Sequence, residues 1–258
     1  LWKPNRFKKR SLGVNPKTCP QTYDALMSDQ SSLLKSSQGL AAEFLGITTL
    51  AMVVVGSGAM AQDLSEDVGL QLLINAAATG AILYLLISLF APISGAHFNP
   101  LVTVIEVLRK KISAAVALGF IMAQTTGAIA GTALANLMFS RPALDISEKV
   151  REGSHLYLAE VIATAGLIFI IFLLVNRDQT TIIPAAVSLW IFAAYFFTSS
   201  TSFANPAITI GRIFTDTFAG ISPESALRFI PFQIIGGVIG YAICKFFSEE
   251  KISTGEAI

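Results

Sequence analysis

Apolar side chains run almost unbroken through six stretches of the chain, near residues 40–61, 70–90, 113–139, 156–175, 181–200 and 226–247. Each is long enough for a helix that crosses a hydrocarbon layer, which takes about 20 residues. The stretches 70–90, 113–139 and 181–200 carry no charged side chain. Shorter apolar pieces lie between the second and third runs and between the fifth and sixth. Each opens with an Asn-Pro pair, in SGAHFNPLVT at 94–103 and in TSFANPAITI at 201–210. Neither piece can cross a bilayer alone. A polar amide in hydrocarbon is costly and proline removes a backbone donor, so two such pairs inside apolar sequence need a reason.

The pattern repeats. The first half reads Glu43, then Phe98-Asn99-Pro100, then AQTTGAIAG at 123–131; the second reads Glu160, then Ala204-Asn205-Pro206, then FQIIGGVIG at 232–240. Three spans per half is an odd number, so the second half enters the membrane from the opposite side and the repeats are inverted, an arrangement used by transport proteins that build their site at the repeat interface. The units expected are a polar tail at 1–39, a first repeat at 40–139, a second at 140–247 and a short tail at 248–258. The fold class expected is an all-α membrane protein with six transmembrane helices and two re-entrant half-helices.

Inversion explains the Asn-Pro pairs. Asparagine is a strong N-cap and proline is favoured in the first helical turn, so each pair starts a short helix. One half-helix enters from each side, and their N-termini meet near the midplane with unsatisfied N–H groups and partial positive charge. Asn99 and Asn205 then offer carboxamide donors to a water-filled path, where irregular backbone is tolerated. Such a centre suits neutral oxygen-bearing solutes and repels cations.

Charge placement sets the orientation. The tail and the loops after the second and fourth runs, with the C-terminus, hold Lys3, Arg6, Lys8, Lys9, Arg10, Lys17, Lys35, Arg109, Lys110, Lys111, Arg177, Lys245 and Lys251; Arg141, Lys149, Arg151, Arg212 and Arg228 lie on the other side. The positive-inside rule places both termini in the cytoplasm. The acidic QDLSEDVG at 62–69 fits the outer face. The tail has no apolar signal core; a flexible dispensable segment and a basic membrane-surface or regulatory segment both remain open for it.

Composition agrees with the spans. The 258 residues are 53% hydrophobic and 14% charged, with mean hydropathy +0.64, whereas soluble domains have roughly 25% charged residues. The net charge of +1 gives no electrostatic case for nucleic acid. Cys19 and Cys244 are the only cysteines and His97 and His155 the only histidines, so no disulfide framework and no metal or cofactor site is expected. There is no HExxH, and neither Ser57 nor Ser94 has the glycine of a nucleophile turn, which argues against an enzyme.

SGAHFNP, SFANPA, the two intramembrane glutamates and the paired Q-x-x-G motifs resemble the aquaporin and aquaglyceroporin superfamily, the major intrinsic proteins, over residues 40–247. One departure is Leu101, which gives NPL where the superfamily usually has NPA. The resemblance implies a homotetramer with one pore per subunit, and an outer selectivity constriction of four positions. By the superfamily's spacing these fall on Thr79, Ala193, Ser202 and Ile208, the last standing where an arginine is conventional. Such a constriction is expected to be wide and uncharged. Thr79, the aliphatic residue at 208 and TDTFAGI at 215–221 resemble a bacterial branch associated with arsenic-resistance operons, which implies small polyols and neutral metalloid hydroxides such as arsenite as solutes, and a bacterial cell membrane as the location.

Several of the remaining residues keep more than one reading. Arg212 lines an outer vestibule, or pairs with Asp216 at i+4, or contacts lipid headgroups. Glu43 and Glu160 relay protons, or accept hydrogen bonds from the N–H groups of their half-loops, the reading favoured here. His97 is expected to gate or buttress the cytoplasmic half of the pore. Phe98 and Phe203 narrow the path or serve packing. A passive channel for small neutral solutes is the leading function; a water-selective channel, a proton-coupled secondary transporter and a junctional protein of the same fold are the alternatives.

Overall fold

The structure, a computed structural model, describes the backbone of residues 20–253 and the side chains of 37–248. Residues 1–19 and 254–258, parts of the two expected tails, lie outside the described residues. The chain is helical from Pro20, and one compact unit begins at Gln38. Eight α-helices follow in the order α1 (Pro20–Leu64), α2 (Val68–Ser94), α3 (Pro100–Leu108), α4 (Ala114–Met138), α5 (Ser154–Asn176), α6 (Ile183–Phe197), α7 (Pro206–Gly211) and α8 (Pro223–Ser253). Six segments are long and apolar enough to cross a membrane: Ser37–Leu64, Val68–Ser94, Ala114–Met138, Ser154–Asn176, Thr180–Phe197 and Pro223–Ser248. They coincide with the six apolar runs of the sequence. The two short helices are α3 and α7, each starting directly at its proline.

Asparagine caps both short helices. Asn99 is extended, with φ −151°, and its Oδ1 accepts from Leu101 N–H at 3.0 Å; Asn205 is extended, with φ −154°, and its Oδ1 accepts from Ala207 and Ile208 N–H at 3.0 and 3.3 Å. Each carboxamide thus satisfies donors that a helix start leaves open.

The glycines of the Q-x-x-G-x-x-x-G motifs let helices touch backbone to backbone. A Cβ on Gly131 of α4 would sit 2.1 Å from the Thr48 carbonyl oxygen of α1, and one on Gly240 of α8 would sit 2.2 Å from that of Ala165 in α5. These two contacts are counterparts in the two repeats, and close approach of this kind is how helices associate in lipid, where apolar burial gives no drive.

Leu101 finds room at a third glycine. Four residues after the motif glutamine, α4 has Ala128 and α8 has Gly237. A Cβ at Gly237 would meet Leu101 Cδ1 at 3.6 Å, and Leu101 is buried among Val102, Ile105, Ile168, Phe172 and Cys244. The larger side chain on α3 therefore occupies space that the smaller residue on α8 leaves, and the half-helices still meet.

Gly240→Ala should force α5 and α8 apart, because the obstructing atom is backbone, and lower the unfolding temperature in detergent by an amount equivalent to about 1–3 kcal/mol. Gly237→Ala, which adds only an ordinary contact with Leu101, should leave the melting curve near that of the native protein.

Candidate functional site

The two loops that lead into the short helices share one conformation. Gly95, Ala96 and Phe98 have positive φ of 88°, 48° and 47°, and Thr201, Ser202 and Ala204, at the matching places, have 63°, 53° and 48°. Five of these six residues are not glycine, and the left-handed region costs such residues of order 1–3 kcal/mol each. The backbone holds it because a carboxylate sits behind each loop. Glu43 accepts from His97 N–H at 2.9 Å and Phe98 N–H at 2.7 Å; Glu160 accepts from Phe203 and Ala204 N–H, both at 3.0 Å. A glutamine then braces each carboxylate. Gln124 Nε2 reaches Glu43 at 2.8 Å and the Thr103 hydroxyl at 2.9 Å, while Gln233 Nε2 reaches Glu160 at 2.7 Å and the Thr209 hydroxyl at 2.9 Å. Both glutamates are fully buried. Their oxygens serve the half-loops.

The two loops then interlock. Asn99 Nδ2 donates to the Ala204 carbonyl at 2.9 Å, and Asn205 Nδ2 donates to the Phe98 carbonyl at 2.7 Å. Each asparagine so caps its own helix with its oxygen and grips the opposite loop with one amide hydrogen, leaving the second hydrogen of each amide uncommitted.

A cavity of about 660 Å³ runs past this junction, and Asn99 and Asn205 both line it. Its walls are stripes of one residue in four: Thr79, Leu83, Ile87 and Ala91 on α2, and Ile183, Val187, Ile191 and Tyr195 on α6, with Leu50 and Val54 on α1 and Leu167, Ile171 and Val175 on α5. Twelve residues of helix make the stripe on α2 about 18 Å long. At one end lie Glu106, Arg109 and Lys111, and at the other Thr79, Tyr195, Ile208 and Arg212. His97 lines the first half, its Nδ1 3.1 Å from the Thr103 hydroxyl and its ring edge-on to Phe120 at 5.5 Å.

The end at Thr79, expected to be the outer one, departs from expectation at Ala193. Ala193 is exposed and does not line the cavity. Two residues along a helix is more than half a turn, so Ala193 points away from the face that carries Ile191 and Tyr195. Tyr195 takes the place, its hydroxyl 3.2 Å from that of Thr79. The i, i+4 run from Ile183 was the signal for it. Arg212 does line the cavity, but it is 2% exposed and stacks on Phe203 with its guanidinium carbon 3.5 Å from the ring centroid. It is enclosed by its neighbours. The pairing with Asp216 is absent: that carboxylate accepts from Glu148 N–H at 3.1 Å and the Ser147 hydroxyl at 3.4 Å. Ser202 lines the cavity with its hydroxyl buried and unpaired, and Ile208 is on the wall. Phe98 packs its ring against Gly46 and edge-on to Phe90, and Phe203 sits against Phe229.

Residues 30–202 match the family model for the major intrinsic proteins. The chain belongs to the major intrinsic protein family. It is similar to aquaglyceroporin AqpS of Rhizobium meliloti (strain 1021), with 45% identity over 205 residues, 80% of this chain and 88% of that protein. Aquaporin-4 of Homo sapiens is 26% identical over 204 residues, covering 77% of this chain and 59% of that one. The fold is also that of an aquaglyceroporin structure from Plasmodium falciparum, at TM-score 0.64 and 21% identity, covering 83% of this chain and 96% of the other. The family member described here is thus a multi-pass membrane channel, not an enzyme.

Three cations gather beside the outer loop. Lys149 is half-buried, donates to the Phe218 carbonyl at 2.8 Å and lies 4.9 Å from that ring's centroid. Burial first, and the charges of Arg151 and Arg212 next, push its pKa from 10.5 down to about 8, with Asp216 pulling the other way.

Glu160→Gln should turn an acceptor toward N–H groups into a mixed group, and lower the unfolding temperature well beyond that of Ser199→Ala, a loop hydroxyl removed from the clamp; equal effects would contradict the clamp. Because the folded-state pKa of Lys149 lies below its unfolded value, protonating it costs stability below about pH 8, and that cost is relieved as pH rises toward 10.5. Thermal stability of the native protein relative to Lys149→Met should therefore rise from pH 8 to about pH 9.5.

Proposed function

We propose that the protein is a passive channel for small neutral solutes, glycerol-like polyols, water and neutral metalloid hydroxides such as arsenite among them. The observation that carries this reading is the reciprocal pair of hydrogen bonds from Asn99 and Asn205 into the opposite half-loops, with both residues on the wall of a single cavity. A solute that gives up water needs replacement partners, and the uncommitted amide hydrogens at the junction are suited to an oxygen acceptor. The aliphatic stripes along α2 and α6 offer no such partners, so a solute slides past them. Two helix N-termini facing the junction disfavour cations there.

The 45% identity to a protein named aquaglyceroporin supports solutes larger than water. So does an end where Thr79, Ser202 and Ile208 stand beside Tyr195 and no arginine occupies position 208. Trivalent arsenic acid is uncharged near neutral pH and carries three hydroxyls, the donor pattern of glycerol, which places it in the same solute class. A proton-coupled transporter is disfavoured by Glu43 and Glu160, whose oxygens are taken up by backbone N–H and glutamine donors. The distribution of Lys and Arg supports cytoplasmic termini, the relative from Rhizobium meliloti supports a bacterial membrane, and a homotetramer with one path per subunit is the assembly proposed.

Stopped-flow measurements on proteoliposomes with a panel of solutes test the reading: glycerol and arsenite should enter well above the lipid background. Ile208→Arg should cut glycerol and arsenite flux roughly tenfold while sparing water, and Thr79→Trp should slow the bulkier solutes first. Equal solute flux in Ile208→Arg and the native protein would refute the filter assignment.

A further inference from the structure

Counting from Asn205 leaves the outer end of the path without a cation, since Ile208 stands three residues on. The fold supplies one from elsewhere. Arg212 lies one helical turn beyond Ile208, lines the cavity and is 2% exposed. It is held by neutral groups: Nε donates to the Ala219 carbonyl, and the guanidinium stacks on Phe203. Arg151 approaches the same ring at 5.1 Å and spends its donors on the Gly220 and Phe218 carbonyls at 2.9 and 3.2 Å. Among the described residues neither arginine has a carboxylate partner. Glu160, the buried carboxylate on this side, is committed to Phe203 and Ala204 N–H and to Gln233.

A guanidinium held by a ring face and a carbonyl has no carboxylate against it; Arg151 adds a second positive charge nearby, Glu160 acts on both only from a distance, and enclosure makes the local charge felt more strongly than at a wet surface. The Thr79 and Tyr195 hydroxyls, 3.2 Å apart, face the same end of the cavity.

We infer that Arg212 is the cation-excluding residue of this pore, and that with the Tyr195 hydroxyl it forms a subsite for uncharged solutes that present oxygen. The inference rests on the channel reading above. Arginine N–H groups meet a carbonyl or hydroxyl oxygen favourably and repel an ammonium- or guanidinium-like ion of the same size. The aliphatic residue at 208 then widens the outer end while the charge one turn further on keeps it closed to cations.

Urea and guanidinium are nearly equal in shape and differ in charge, so their flux ratio into proteoliposomes reads the inference directly, and the ratio is independent of how much protein is active. The native protein should pass urea and exclude guanidinium. Arg212→Gln should raise the guanidinium-to-urea ratio about tenfold or more, and Arg212→Lys should bring it back near native. Tyr195→Phe, which keeps the ring, should lower urea flux relative to water about threefold. An unchanged ratio in Arg212→Gln, or guanidinium entering the native protein as fast as urea, overturns the assignment to Arg212. Where Arg212→Gln does not insert, the native protein and Arg212→Lys decide, since guanidinium entry through either at the rate of urea overturns it equally. A native protein that passes neither urea nor glycerol would instead remove the channel reading, and the inference with it.

Discussion

Two buried carboxylates hold this protein's centre together. Each accepts consecutive backbone N–H groups from a loop whose residues sit in the left-handed region, and each is braced by a glutamine from a neighbouring helix. Hydrogen bonds to a charged group contribute about 1.5–3 kcal/mol apiece, the same order as the strain in each non-glycine left-handed residue. A loop of this shape has no reason to persist without its glutamate. The half-helices that follow depend on it in turn, because Asn99 and Asn205 reach each other's loops only when both loops turn as they do.

The centre and the ends of the path answer to different constraints. At the centre most hydrogen bonds have a counterpart in the other repeat, from the glutamates to Thr103 and Thr209, while the Ser94 hydroxyl on Glu43 and His97 on Thr103 belong to the first repeat alone. The ends have none of that symmetry: one is lined by Glu106, Arg109 and Lys111, the other by Thr79, Tyr195 and Arg212. Outer segments secure the second end, with Asn136 bonded to the Phe214 carbonyl and Thr215, and Ser147 N–H bonded to the Ile213 carbonyl. Selectivity can therefore vary at the ends while the junction stays fixed.

Much of this was legible in the sequence. Six apolar runs gave six spanning segments, and polar residues inside apolar sequence marked the centre, since Asn99, Asn205, Glu43 and Glu160 are too costly there to be incidental. The outer end was harder for two physical reasons. Ala193 was reached by counting back through the irregular backbone at 198–204, where spacing carries no fixed rotation, whereas the helix's own phase from Ile183 and Val187 leads to Tyr195. The direction of Arg212 depends on Phe203 and the Ala219 carbonyl, partners brought in by tertiary structure that leave no local pattern. Leu101 stood out only as a departure from the usual motif, and Gly237, its accommodation, is 136 residues away in sequence.

That last pairing bears on how the two halves are related. The bulk on α3 is matched by an absence on α8, and at the corresponding positions of α7 and α4 stand two alanines, Ala207 and Ala128, both buried in one core. The halves have become complementary in shape, like a key cut for one lock. A chain assembled from two copies of the first repeat would set leucine against alanine at both junctions, and one from two copies of the second would leave a void at both. This molecule's symmetry is a matter of backbone path alone, and its side chains commit it to being read once, in one order.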